Sequence, residues 1–173
     1  LVLTDSKILN NIEEIVLKSV EAFNADKKML LCGNGGSASD AQHIASELSG
    51  RFYLERRPLF AEALHVNSSF VTAVANDYGY DNIYSRMVEA AGRDGDILIG
   101  ISTSGNSINV VNAIEKANKI GMTTIGFTGE KGGKMNDICD ITIRIPSIDT
   151  PRIQELHILV GHIICQLIEE ELF

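Results

Sequence analysis

Apolar residues recur at Ile8, Leu9, Ile12, Ile15, Val16, Val20 and Phe23, a helical spacing that leaves one charged face. This predicts an amphipathic helix within residues 1–25 that packs on the core or on a neighbouring subunit. The pattern then changes. Met29–Cys32, Phe60–Val66, Ile97–Ile101, Thr123–Phe127 and Ile141–Ile145 are short apolar runs, and each reads as a strand covered on both faces. Helical periodicity returns between them: from Ser37 to about Gly50, at Ser69–Val74, Asn82–Ala91 and Ile108–Ile120, and briefly at Gly133–Ile138. Alternating strands and helices predict an α/β three-layer sandwich with a five-stranded parallel sheet, as one domain over residues 1–173.

The last helix differs from the others. Thr150 is a suitable N-cap with Pro151 behind it, and RIQELHILVGHIICQLIEEEL then runs apolar nearly all round. A helix of that kind is either central to a monomer or, given 173 residues and a sheet with its own cover, buried between subunits at an oligomer interface. Gln154, His157 and His162 interrupt its apolar surface.

Two loops follow strands and open helices. After Met29–Cys32 comes GNGGSASD, whose Gly33, Gly35 and Gly36 imply a tight turn, with Ser37-x-x-Asp40 reading as a capping box. After Ile97–Ile101 comes STSGNS. A strand-to-helix junction offers free N–H groups and the positive end of a helix dipole, so with Ser102, Thr103, Ser104 and Ser107 it can cradle a phosphate. Ser107 as a plain N-cap would explain one hydroxyl and leave the other three. In parallel sheets, ligands bind at the carboxyl ends of strands near a topological switch point, so the two loops are expected to share a crevice.

Composition narrows the function. A net charge of −8 over 173 residues, with no basic cluster beyond Arg56-Arg57, argues against a nucleic-acid partner. No apolar run approaches the roughly 20 residues that span a bilayer, and the N-terminus, which starts on Leu1, shows no signal pattern; a cytoplasmic protein without a membrane partner is expected. Cys32, Cys139 and Cys165 form no CxxC and read as small buried side chains.

His43 and Glu47 stand at i and i+4, on one helical face, and could bind a divalent metal, act as an acid/base pair or simply share a surface hydrogen bond. Gln154 and His162 lie about 12 Å apart along a straight helix, so they reach one ion only by leaning together or by serving different chains. His157 is a rival for the same role.

Together CGNGGSASDAQHIASE, AVANDYGY, GISTSGNS and PRIQELHILVGH resemble the sugar isomerase (SIS) family, and within it the phosphoheptose isomerases, over nearly the whole chain. The resemblance implies a flavodoxin-like SIS fold assembled as a homotetramer with active sites between subunits. It implies an aldose-ketose isomerase that converts sedoheptulose 7-phosphate to D-glycero-D-manno-heptose 7-phosphate through an enediol, the first step toward ADP-heptose and lipopolysaccharide core. Substrate would contact Asn34, Gly35, Gly36, Glu47, Asn76, Asp77, Ser102, Thr103, Ser104, Ser107 and Gln154. Zinc, one per subunit, would be held by His43, Glu47, Gln154 and His162, with Glu47 as base and His162 as acid. Pro151 departs from the acidic residue that some members carry there.

Two rivals remain at this point. A non-catalytic relative that binds the replication initiator protein would keep the serine loop, but has no chemical reason to keep both Glu47 and His162. A nicotinamide enzyme would use Gly33-x-Gly35-x-x-Ala38, yet His65-Val66-Asn67 offers no acidic group for the ribose.

Overall fold

A computed structural model describes residues 5–173. In chain order the elements are α1 (Ser6–Asn24), β1 (Met29–Gly33), α2 (Gly36–Ser49), β2 (Ala61–Ala63), α3 (Ser68–Tyr78), α4 (Ile83–Ala91), β3 (Ile97–Ile101), α5 (Ile108–Ile120), β4 (Thr123–Thr128), α6 (Met135–Ile138), β5 (Ile141–Arg144) and α7 (Thr150–Leu172). A turn of 3-10 helix, Tyr80–Asn82, precedes α4. Local chemistry sets several of these ends. The Asp5 carboxylate accepts the Lys7 and Ile8 N–H groups at the start of α1, and Gly121, left-handed at φ 90°, closes α5.

All strand pairs are parallel, in the order β2-β1-β3-β4-β5. The chain goes from β1 out to the edge strand β2 and then returns to the other side of β1 as β3. This makes the gap between β1 and β3 the switch point, where their two following loops diverge to opposite faces. Side chains alternate along each strand, so the sheet feeds two cores. Met29, Leu31, Ile97, Ile99 and Phe127 pack with Ile15, Ile44, Leu48, Ile164 and Ile168 of α1, α2 and α7. Leu30, Cys32 and Leu98 pack with Val74, Tyr84, Val88, Val110 and Ile114 of α3, α4 and α5. Each fully buried Leu or Ile contributes about 1.5–3 kcal/mol, and continuous burial is why these strands are apolar throughout.

Some local expectations are corrected. The second strand is confined to Ala61–Ala63: Leu64 N–H still bonds the Leu31 carbonyl of β1, and the chain then turns where Val66 N–H bonds the Ala63 carbonyl. The third helix runs on through Asn76 and Asp77 to Tyr78, and Gly79 at φ 82° ends it. No capping box forms at Ser37 and Asp40. The helix starts at Gly36 behind Gly35, Ser37 is buried within the first turn, and one Asp40 oxygen is buried without a partner. Asp149, not Thr150, holds the N-cap position of α7, with Pro151 in the first turn.

That last helix packs on α1 and α2. Gly161 permits close approach, because a methyl group there would collide with the Ile44 side chain. His157, fully buried, lies 3.1 Å through Nε2 from the Thr128 carbonyl, so the ring is neutral with Nε2–H donating. Cys32, Cys139 and Cys165 are free thiols, Cys139 being only partly buried. Among the described residues no helix is long and apolar enough to cross a membrane.

Candidate active site

At the carboxyl end of β3 the backbone turns through Ser102–Ser107 into α5. Ser102, buried, brings its hydroxyl to 2.9 Å from that of Ser107 and 3.3 Å from that of Ser104. Ser107 occupies the N-cap position but makes no side-chain cap bond, so its hydroxyl belongs to the cluster instead. Backbone N–H groups of Thr103, Ser104, Ser107 and Ile108 have no hydrogen-bond partner among the described residues. Converging hydroxyls and unpaired N–H groups at a helix N-terminus form a seat for an anion. Gly105 is required there: its φ is +66°, and any Cβ would land on the Gly132 carbonyl.

The glycine loop lies beside it because β1 and β3 are neighbours, Gly33 pairing with Ile101. A Cβ on Gly33 would meet the Ser37 backbone, so the loop closes tightly onto α2. Asn34 and Asn109 exchange two amide hydrogen bonds of 2.9 Å, which ties the glycine loop to the start of α5. Asn34 Oδ1 also accepts the Tyr80 hydroxyl at 3.2 Å, and the buried Tyr84 donates to the Gly33 carbonyl. Asn109, Tyr80 and Tyr84 are supporting residues that sequence reasoning missed. Asn109 looked like an ordinary polar residue in the first turn of a helix, and no local spacing links it to Asn34. Asn76 and Asp77 sit exposed in the last turn of α3, bonded to each other at 2.8 Å, just before the Gly79 turn that leads to Tyr80.

The second constellation lies between α2 and α7. His43 Nε2 is 3.0 Å from Glu47 Oε1, and the His162 ring meets His43 edge-on at a centroid distance of 4.9 Å. One donor atom from each of His43, Glu47 and His162 lies within 4.8 Å of the others. His162 Nε2 is buried without a hydrogen-bond partner. Two imidazoles and a carboxylate are the donor set that zinc accepts, and ligand atoms about 3–4 Å apart surround such an ion, so small side-chain rotations close this cluster on a metal. The orphaned His162 nitrogen is the observation that favours an ion there.

Gln154 takes a different position. Its side-chain amide packs against Gly36 at the mouth of the glycine loop. Gly36 and His43 are seven residues apart on α2, about 10 Å along the axis. Within one chain, then, His43, Glu47 and His162 gather while Gln154 lies against the glycine loop at Gly36. His157 faces the core at Thr128 and is no part of either group. The Asp40 carboxyl, on the same helix, is pushed up by burial and partly pulled back by His43.

The sequence matches the SIS domain model over residues 4–129. It is 53% identical to the phosphoheptose isomerase of Clostridium acetobutylicum over 172 residues, covering 99% of this chain and 88% of that one. It is 54% identical to the phosphoheptose isomerase of Aliarcobacter butzleri, covering 98% and 92%. In three dimensions it superimposes on the phosphoheptose isomerase of Neisseria gonorrhoeae with a TM-score of 0.91 at 41% identity, covering 96% of this chain and 89% of that one.

Proposed function

The chain belongs to the SIS domain family and, within it, to the phosphoheptose isomerases, and on that footing we propose that it interconverts sedoheptulose 7-phosphate and D-glycero-D-manno-heptose 7-phosphate. The observation that carries the substrate class is the convergence of two loops at one switch point. Hydroxyls of Ser102, Ser104 and Ser107 with free N–H groups suit a phosphate dianion, and the Asn34–Asn109 pair fixes the adjoining loop. Asn34, Gly35 and Gly36, with Thr103, Asn76 and Asp77, are the groups proposed to read the phosphate and the sugar hydroxyls.

Moving a carbonyl from C2 to C1 requires that a proton leave C1 and that one return to C2, through an enediol. Glu47 is proposed as the base that carries this proton, and His162 as the acid that moves protons between the two oxygens. His43, Glu47 and His162 would hold zinc with Gln154. When bound there, zinc supplies a Lewis acid that eases negative charge on the sugar oxygen. Glu47 has two carboxylate oxygens, so one would remain to take the proton were the other to help hold a metal.

The helix rise supports an assembly. Glu47 is eleven residues beyond Gly36, about 16 Å along α2, and Gln154 is about 12 Å from His162 along α7. One sugar phosphate seated on the serine loop does not cover such a span. We infer that the seat and Gln154 of one copy meet His43, Glu47 and His162 of another, in a homotetramer whose contacts use apolar surface at Leu9, Leu17 and Leu159, which are 42%, 59% and 42% exposed.

The test is direct. Purified protein given sedoheptulose 7-phosphate is expected to form an aldose phosphate, to lose turnover on chelation, and to regain it with zinc. No aldose phosphate under any metal condition would overturn the assignment.

A further inference from the structure

Glu169, near the end of α7, is 1% exposed. Its carboxylate accepts the N–H groups of Phe52 at 3.2 Å, Tyr53 at 2.7 Å and Leu54 at 2.5 Å, and Arg56 Nε at 2.7 Å. The Arg56 side chain is equally buried, and the rest of its guanidinium spreads over the carbonyls of Glu47 at 2.8 Å, Leu48 at 2.9 Å, Arg57 at 3.1 Å and Gly50 at 3.3 Å. Several of these carbonyls end α2 and have no partner inside the helix.

Removing two charges from water costs more than their attraction returns unless every donor and acceptor is satisfied, and two apolar side chains would fill the same space without that cost. What an ion pair adds is orientation, because a planar fork fits a carboxylate and a row of carbonyls in one way only. The residues so oriented are informative. Arg56 grips the carbonyl of Glu47 itself. The turn pinned by Glu169 carries Phe52, whose ring lies 5.7 Å from that of His162 at an interplanar angle of 31°. Glu169 stands two helical turns beyond His162 on the same helix. Both halves of the His43–Glu47–His162 cluster therefore end on one buried pair that no spacing in the sequence connects.

We propose that Arg56 and Glu169 are positioning residues for the metal cluster: they fix the last turn of α2 and the Phe52 turn so that Glu47 and His162 present their donor atoms beside His43. The proposal rests on the reading of that cluster as a zinc site.

Cobalt(II) titrated into metal-free protein tests it, with calorimetry giving affinity, the visible absorption bands giving ligand geometry, and circular dichroism confirming the fold. Arg56→Lys keeps a charge opposite Glu169 but cannot span the four carbonyls, and Glu169→Gln keeps the shape but loses the charge. Each is expected to weaken cobalt binding about 10–100-fold and to alter the absorption bands in a folded protein. Phe52→Leu leaves the ion pair intact and is expected to shift the bands with a smaller loss of affinity, so it serves if the clamp variants do not fold. Folded Arg56→Lys, or in its place folded Phe52→Leu, with wild-type affinity and spectrum would overturn the proposal. Wild-type protein that binds no cobalt, or binds it equally after His43→Ala, would instead remove the zinc reading and this inference with it.

Discussion

The serine loop and the His43–Glu47–His162 cluster are built in opposite ways. The loop is six consecutive residues, Ser102 to Ser107, whose hydroxyls meet because a strand ends and a helix begins. Its donors are backbone and short side chains with little conformational freedom to lose. The cluster joins residues 119 positions apart on two helices, and it depends on helix packing at Gly161 and on the buried Arg56–Glu169 pair. A binding seat can be encoded locally, whereas a set of reactive groups that must meet within an ångström or so needs tertiary support.

The largest effect should fall on the cluster. Glu47→Gln and His162→Ala are each expected to lower turnover by about 10³-fold, within the usual range for loss of a general acid or base, while leaving circular dichroism and thermal midpoint near wild type. Turnover undiminished in either would break the contrast between seat and reactive groups. Next comes the loop backbone. Gly105→Ala combines a positive φ with a clash on the Gly132 carbonyl, and a loss of about 1–3 kcal/mol in stability is expected, read by denaturant titration. On the proposed seating of the phosphate, Ser102→Ala, Ser104→Ala and Ser107→Ala would each remove one hydrogen bond to a charged group, about 1.5–3 kcal/mol, so KM should rise about 10- to 100-fold with kcat far less changed. A fall in kcat at constant KM would move these serines into the chemistry.

The smallest effect on activity, though not on stability, concerns His157. Burial holds its pKa down to about 4, the Thr128 carbonyl only partly opposing this. The unfolded imidazole takes a proton near pH 6.5 while the folded one does not, so stability is full above that value and is lost as pH falls toward 4, by about 3 kcal/mol in all. Glu169 acts in the same direction at lower pH. Burial would raise its pKa, but Leu54 N–H, Arg56, Phe52 N–H and Tyr53 N–H together hold it below the usual range, and that stabilisation disappears as the carboxyl protonates. Thermal midpoints of wild type and His157→Gln between pH 7 and 4 separate the two, the variant showing the flatter profile above about pH 5.

Much of this was legible in the chain. Short apolar runs such as ILIGI, rich in β-branched residues and bounded by turn residues, read as strands covered on both faces, and the glycine and serine loops carry their chemistry in adjacent letters. Helix caps were read less well. Ser37 looked like a cap, yet Gly35 at φ +56° takes the N-cap position two residues earlier, and Ser37 is buried in the close approach to Gly33. Phe60–Val66 looked like a full strand, but an edge position with one neighbour leaves only Ala61–Ala63 paired. The clamp was invisible for a physical reason. Arg56 sits in an Arg-Arg pair and Glu169 opens a run of three glutamates, both patterns of solvated surface, and only the fold brings them to 2.7 Å. The i,i+4 spacing of His43 and Glu47 showed a shared face but could not show that His162 would complete it.

Mixed assemblies put the central claim to the test most directly, since the account requires the anion seat of one copy to serve the reactive cluster of another. Protein carrying Ser102→Ala, Ser104→Ala and Ser107→Ala together should be inactive, as should Glu47→Gln. Co-expressed or unfolded and refolded together, they should regain turnover of sedoheptulose 7-phosphate well above the sum of the two alone, through sites that pair an intact loop with an intact carboxylate. A mixture that demonstrably forms hybrid oligomers yet stays as inactive as its parents would contradict it.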